Sequence, residues 1–171
     1  VGVTPYIVNG TDATVAEFPS MASLFIDRID YDGVYSTGPY CGATILDNYH
    51  VLTAAHCIYD DEDAQLFTVV IPQLQDTSLF PNSGVQKVRV SDVYYRSDYS
   101  DLEANLLPND IAILKLEASL GLGSSAETQI PAFDTYRNIN NNFVAVGHGN
   151  TKSGEDSTTL LQKVDLSTLE N

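Results

Sequence analysis

The sequence predicts an all-β chain, and three observations carry that reading. Short apolar, β-branched runs recur along the 171 residues, bounded by Gly, Pro, Asn, Asp or Ser. One run, residues 85–91, alternates with period two and keeps Val88 and Val90 on its apolar side. Two others, 41–46 and 49–53, flank Asp47-Asn48, a pair that tolerates positive φ and suits a hairpin turn.

Taken in order, Phe18-Pro19 ends an opening loop and residues 21–27 read as a strand. Residues 28–39 are rich in Asp, Gly, Tyr and Ser, and read as a loop. The 41–53 hairpin follows. Residues 66–71 are β-branched and apolar, the mark of a strand. Residues 72–83 hold two prolines and read as a loop. The 85–91 strand extends through Val93, Tyr94 and Tyr95. A polar loop runs over 96–107, where Pro108 confines Leu107 to extended geometry. Residues 111–116 are nearly all apolar, as expected of a strand in the core of a closed barrel. Residues 118–127 are rich in Ser and Gly, and 143–147 and 160–166 read as two further strands. No short repeat or low-complexity segment interrupts the chain.

Composition excludes several function classes. Eight basic residues face 23 acidic ones, a net charge of −15. That balance argues against nucleic acid, which is held by Lys and Arg. No apolar run is long enough to span a membrane. No signal peptide is visible at Val1. The two cysteines, Cys41 and Cys57, could be free, metal-bound or bridged. A zinc site needs further ligands at short spacing, and none lie near. Asp60-Asp61-Glu62-Asp63 offers the oxygen ligands that calcium favours. The run is contiguous and matches no EF-hand, so a solvated face is the preferred reading. His50 lies inside a strand and reads as structural. Asn9-Gly10-Thr11 fits a glycosylation sequon but reads better as a turn.

Three motifs carry chemistry. Leu52-Thr53-Ala54-Ala55-His56-Cys57 sets one histidine just past a strand end. Ile7-Val8-Asn9-Gly10 lies near the start of the chain. Asn109-Asp110-Ile111-Ala112-Ile113-Leu114-Lys115-Leu116 sets an acid at the mouth of an apolar strand, where a buried carboxylate needs a partner.

In this order the three motifs resemble those of the trypsin-like (chymotrypsin-family) secreted serine proteases, over essentially the whole chain from Ile7. The resemblance implies two six-stranded antiparallel Greek-key barrels, the second incomplete here. It divides the chain into a propeptide remnant (1–6), a first barrel with His56 and Asp110 (7–116), a crossover (117–142) and the start of the second barrel (143–171). It implies that His56 is the general base and Asp110 the carboxylate that orients it. Cys41 and Cys57 would be bridged, which fits an oxidising, extracellular compartment. His148, in Val146-Gly147-His148-Gly149, would stand where relatives carry an aromatic ring. Cleavage of the Tyr6-Ile7 bond by an activating protease would turn a zymogen into the mature form. Tyr6 departs from the Arg or Lys usual before that cut. No Gly-Asp-Ser-Gly occurs, so the nucleophilic serine is expected beyond Asn171, in a C-terminal remainder of the same protease. Substrates would be proteins or peptides, with no metal or other cofactor. The alternative is a non-catalytic protease homologue that serves as a binding or regulatory module.

Overall fold

The computed structural model describes residues 7, 9–80, 85–100, 108–130, 142–149 and 159–167. Among the described residues nine strands carry the fold: β1 (Thr11–Asp12), β2 (Met21–Asp30), β3 (Gly33–Asp47), β4 (His50–Thr53), β5 (Thr68–Pro72), β6 (Val88–Tyr95), β7 (Ala112–Leu116), β8 (Asn142–Gly147) and β9 (Gln162–Ser167). Six close into a barrel in the order β2-β3-β4-β7-β6-β5, with every pairing antiparallel. The other three form a sheet in the order β1-β9-β8. The all-β class and the closed six-stranded barrel expected from the sequence are thus present. The short strand Thr11–Asp12, grouped by sequence with the first barrel, pairs instead with Gln162 and Lys163 of the second sheet.

Burial explains why these residues form these strands. Inside the barrel lie Ala22, Leu24, Ile26, Ile45, Val51, Val70, Val88, Val90, Leu114 and Leu116. Each large side chain withdrawn from water in this way stabilises the fold by about 1.5–3 kcal/mol. β2 and β5 are also covered on their outer face, where Phe25, Val69 and Ile71 pack under Leu74, Phe80 and Val85. They therefore read as continuous apolar runs, whereas β6 starts as an alternating strand, with Val88 and Val90 buried and Arg89 exposed.

Several local expectations need correction. Residues 28–39 are no loop: β2 and β3 continue as a paired ribbon out to Asp30↔Gly33. The hairpin turn falls on Asn48-Tyr49, one residue later than expected, because Asp47 pairs with His50. No positive φ is needed there. Instead the Asp47 carboxylate accepts the Tyr49 N–H at 2.7 Å and closes the turn. Residues 66 and 67 end a short helix, α1 (Glu62–Phe67), and β5 starts only at Thr68. Asp61 caps that helix by accepting the Ala64 N–H at 2.9 Å, and Glu62 and Asp63 favour its first turn. The 72–83 segment includes a single 3-10 turn at Thr77–Leu79, capped by Asp76. β7 buries only alternate residues, leaving Ile113 36% exposed on the outer face of the barrel. Among the described residues no helix is long and apolar enough to cross a membrane.

Candidate active site

The register of β4 against β7 builds the site. Thr53 pairs with Ala112 at the end of the ladder, so the segments that carry His56 and Asp110 leave neighbouring strand ends side by side. The chain past β4 then tightens into a 3-10 turn, Ala55–Cys57. Ile58 N–H and Tyr59 N–H both bond the Ala55 carbonyl, at 3.0 and 2.8 Å. Ala55 and Ile58 are fully buried, so the turn is anchored on both sides of His56. Thr53 Oγ1 donates to the Gly42 carbonyl at 2.8 Å, and Cys57 is disulfide-bonded to Cys41. One neighbouring strand, β3, therefore holds this segment twice, by a hydrogen bond to the end of β4 and by a covalent bond to the turn.

Within this frame His56 and Asp110 meet. Asp110 Oδ2 lies 2.7 Å from His56 Nδ1, and Oδ1 accepts the backbone N–H of His56 at 2.8 Å. Both carboxylate oxygens thus serve one residue, 54 positions away in sequence. The carboxylate is the more sheltered partner, 22% exposed against 52% for the imidazole. With Nδ1 committed to the carboxylate, the other ring nitrogen, Nε2, is the one open to proton exchange, with Cys57 Sγ 3.7 Å away. The arrangement can hold an imidazole in one orientation and one tautomer, and can stabilise a positive charge on it.

A hollow of about 420 Å³ lies beside the pair, lined by Gly42, Thr53, Ala54 and Asp110 from the barrel and by Val146 of β8. The other flank is aromatic. Tyr99, 6% exposed, packs on Ala55, Ala112 and Tyr59. The Tyr59 ring meets Tyr99 edge-on at 4.9 Å and Tyr95 at 5.6 Å. Sequence alone gives no site role to these tyrosines, or to Asn109, whose φ is +63° immediately before Asp110. Only the unusual density of tyrosine around 94–99 could have flagged the first group.

Ile7, His50, His148 and the acidic run each make contacts of their own. Ile7 lies against the second sheet, with its methyls packed so closely on Gly10 and Gly147 that a Cβ at Gly10 would come within 2.8 Å. Tyr6 lies outside the described residues. Asn9 and Gly10 form a turn, with Asn9 at φ +62° and the Gly10 N–H bonded to the Ile7 carbonyl at 3.0 Å. His50 Nδ1 contacts the Asp47 carboxylate at 2.9 Å. His148 donates from Nε2 to the Leu74 carbonyl at 2.8 Å, and burial holds it below the usual imidazole range. Next to the disulfide, burial pushes the Tyr40 hydroxyl up to about 12. Cys41, His56 and Cys57 converge closely enough to suggest a metal, but the two sulfurs are spent on each other. The acidic run is divided among a helix cap at Asp61, a first-turn Glu62 and an Asp63–Arg28 ion pair at 2.6 Å.

Comparison with known proteins gives one family and a set of relatives. The trypsin family model matches residues 7–171. Trypsin-1 of Astacus astacus is 32% identical over 163 residues, covering 94% of this chain and 64% of that protein. Venom serine protease 34 of Apis mellifera is 30% identical over 169 residues, covering 95% and 39%. Trypsin, alkaline C of Manduca sexta is 30% identical over 164 residues, covering 95% and 59%. The chain thus spans between about two fifths and two thirds of the length of these relatives.

Proposed function

The chain belongs to the trypsin family, and from that premise we propose that it is part of a secreted serine endopeptidase, with His56 as general base and Asp110 as the carboxylate that orients it. The observation that carries this reading is the double contact of Asp110 with His56, at 2.7 Å to the ring and 2.8 Å to the backbone. A carboxylate that only capped the turn would need the backbone bond alone.

The chemistry is acyl transfer to water. A serine hydroxyl attacks the peptide carbonyl while His56 Nε2 takes its proton. The resulting imidazolium is stabilised by Asp110 through Nδ1–H. His56 then returns the proton to the departing amine, leaving an ester on the serine. Water, deprotonated by the same nitrogen, hydrolyses that ester and regenerates the hydroxyl. Asp110 stays ionised throughout.

No Gly-Asp-Ser-Gly occurs in residues 1–171. We place the nucleophile in a further segment of the protease, in keeping with relatives of greater length. Residues 1–171 alone would then be inactive, and the second barrel would be completed by that segment. Ile7 is read as the mature start, freed by a protease that accepts tyrosine before the cut. Its packing on Gly10 and Gly147 supports a site coupled to the second sheet.

The test is covalent labelling of the activated full-length protein with a fluorophosphonate, alongside hydrolysis of peptide amides. We expect turnover and a single labelled serine outside residues 1–171. A full-length protein that starts at Ile7 and is correctly folded, yet neither labels nor turns over, would favour the non-catalytic binding module.

A further inference from the structure

We propose that Asn109 is a positioning residue, whose left-handed backbone turns Asp110 so that both of its carboxylate oxygens face His56. The inference rests on the protease reading above and adds to it the device that aims the carboxylate.

The geometry is unusual and local. Asn109 has φ +63°, and it is one of four non-glycine residues with positive φ among those described. Asparagine tolerates this region better than other residues that carry a Cβ. Its carbonyl accepts the Ile111 N–H at 2.8 Å, a tight three-residue turn with Asp110 at its apex. β7 begins immediately afterwards, at Ala112. The backbone thus reverses its local twist just where the acid must leave the ladder and lean toward the neighbouring strand end.

Asn109 is also tied down on its other side. Its Nδ2 donates to the Asp98 carbonyl at 3.4 Å. The Asp98 carboxylate is in turn gripped by Arg96, through Nε at 2.8 Å and a terminal nitrogen at 2.6 Å. Tyr99, the next residue, is buried against Ala55 and Ala112. The strained residue therefore stands between the acid and the aromatic flank of the same site. Strain retained beside a functional group points to a role when the surroundings hold it in place.

The position is exposed, so substitution there leaves the core intact. The left-handed region is disfavoured about five- to thirtyfold for a residue with a Cβ such as alanine, a penalty that asparagine eases by local hydrogen bonding, whereas glycine adopts it freely. Both remove the side-chain tether. In the activated full-length protein, Asn109→Ala should lower kcat about tenfold with KM unchanged, and should weaken the low-field proton signal of the His56 Nδ1–H. Asn109→Gly should restore kcat to within about threefold of the parent and keep that signal. Equal losses in the two variants, or no loss in Asn109→Ala, would overturn the proposal. Asp110→Asn run in the same assay separates the two readings. If it abolishes turnover while Asn109→Ala leaves kcat unchanged, only the positioning role falls. If it too has no effect, the protease reading fails with it.

Discussion

Replacing Asp110 by asparagine tests the site with almost no change in shape. In the parent, two donors converge on the carboxylate, the His56 backbone N–H at 2.8 Å and the ring Nδ1 at 2.7 Å. An amide has one acceptor and one donor end. The backbone N–H can only donate, so the amide oxygen must turn to it. The NH₂ then faces Nδ1 and forces that nitrogen to accept. The ring proton moves to Nε2, and the imidazole can no longer take a proton from a serine. The size of the loss is that known for Ser-His-Asp triads generally, where this replacement costs about four orders of magnitude in kcat. That corresponds to about 5.5 kcal/mol of transition-state stabilisation. Stability should hardly move, since both hydrogen bonds are kept, the backbone one unchanged and the ring one with its roles exchanged. The assay is kcat for peptide-amide hydrolysis by activated full-length protein, with ¹⁵N spectra of His56 reporting the tautomer. A loss of less than tenfold, or a ring that still carries its proton on Nδ1, would refute the reasoning.

Two further perturbations probe the frame. The Cys41–Cys57 bridge closes a loop of sequence separation 16, which the chain-entropy argument values at about 3 kcal/mol. Urea unfolding of the Cys41→Ala/Cys57→Ala double variant should show a loss of that order, and a change under 1 kcal/mol would mean that the bridge adds little to β4 and its turn. His148 is half-buried, and that burial holds its pKa below the usual 6.5 against the opposing pull of Asp76 and nearby carbonyls. The unfolded chain then binds the proton more readily, so stability from this residue is complete above about pH 6.5 and declines as pH falls through the depressed pKa. His148→Leu should therefore be less sensitive than the parent to a drop from pH 7.5 to 5.0 in urea midpoint, and parallel slopes would contradict this.

The elements that the sequence revealed are those whose side chains have two distinct environments. Val88 and Val90 alternate because one face of β6 meets the barrel core and the other meets water. The His56 and Asp110 motifs were legible as residue strings, and the register of β4 against β7 brings the strand ends that carry them side by side. What stayed hidden lacked such contrast. The outer ribbon of β2 and β3 keeps both faces solvated, with Ile29, Tyr31 and Val34 strongly exposed, so no burial pattern marks it and its composition mimics a loop. Helix α1 buries only Ala64, too little to set a helical period, although an aspartate followed by two acids was a readable capping signal. β1 is two residues long and owes its existence to β9, which no local window contains. The left-handed Asn109 was likewise invisible, because asparagine beside aspartate is compatible with many turns.

The union of Asp12 with Gln162, 150 residues apart, sets a timetable for biosynthesis. A ribosome adding roughly 5 to 20 residues per second needs about 8 to 30 s between these two points. All barrel strands, the last ending at Leu116, will have emerged well before Gln162 arrives. For that interval the leading segment has no β-partner and must wait beside an assembled barrel, open to chaperones and proteases alike. The second sheet is in this sense a late clasp, and slowing translation across 117–161 would prolong the time during which the front of the chain can be lost.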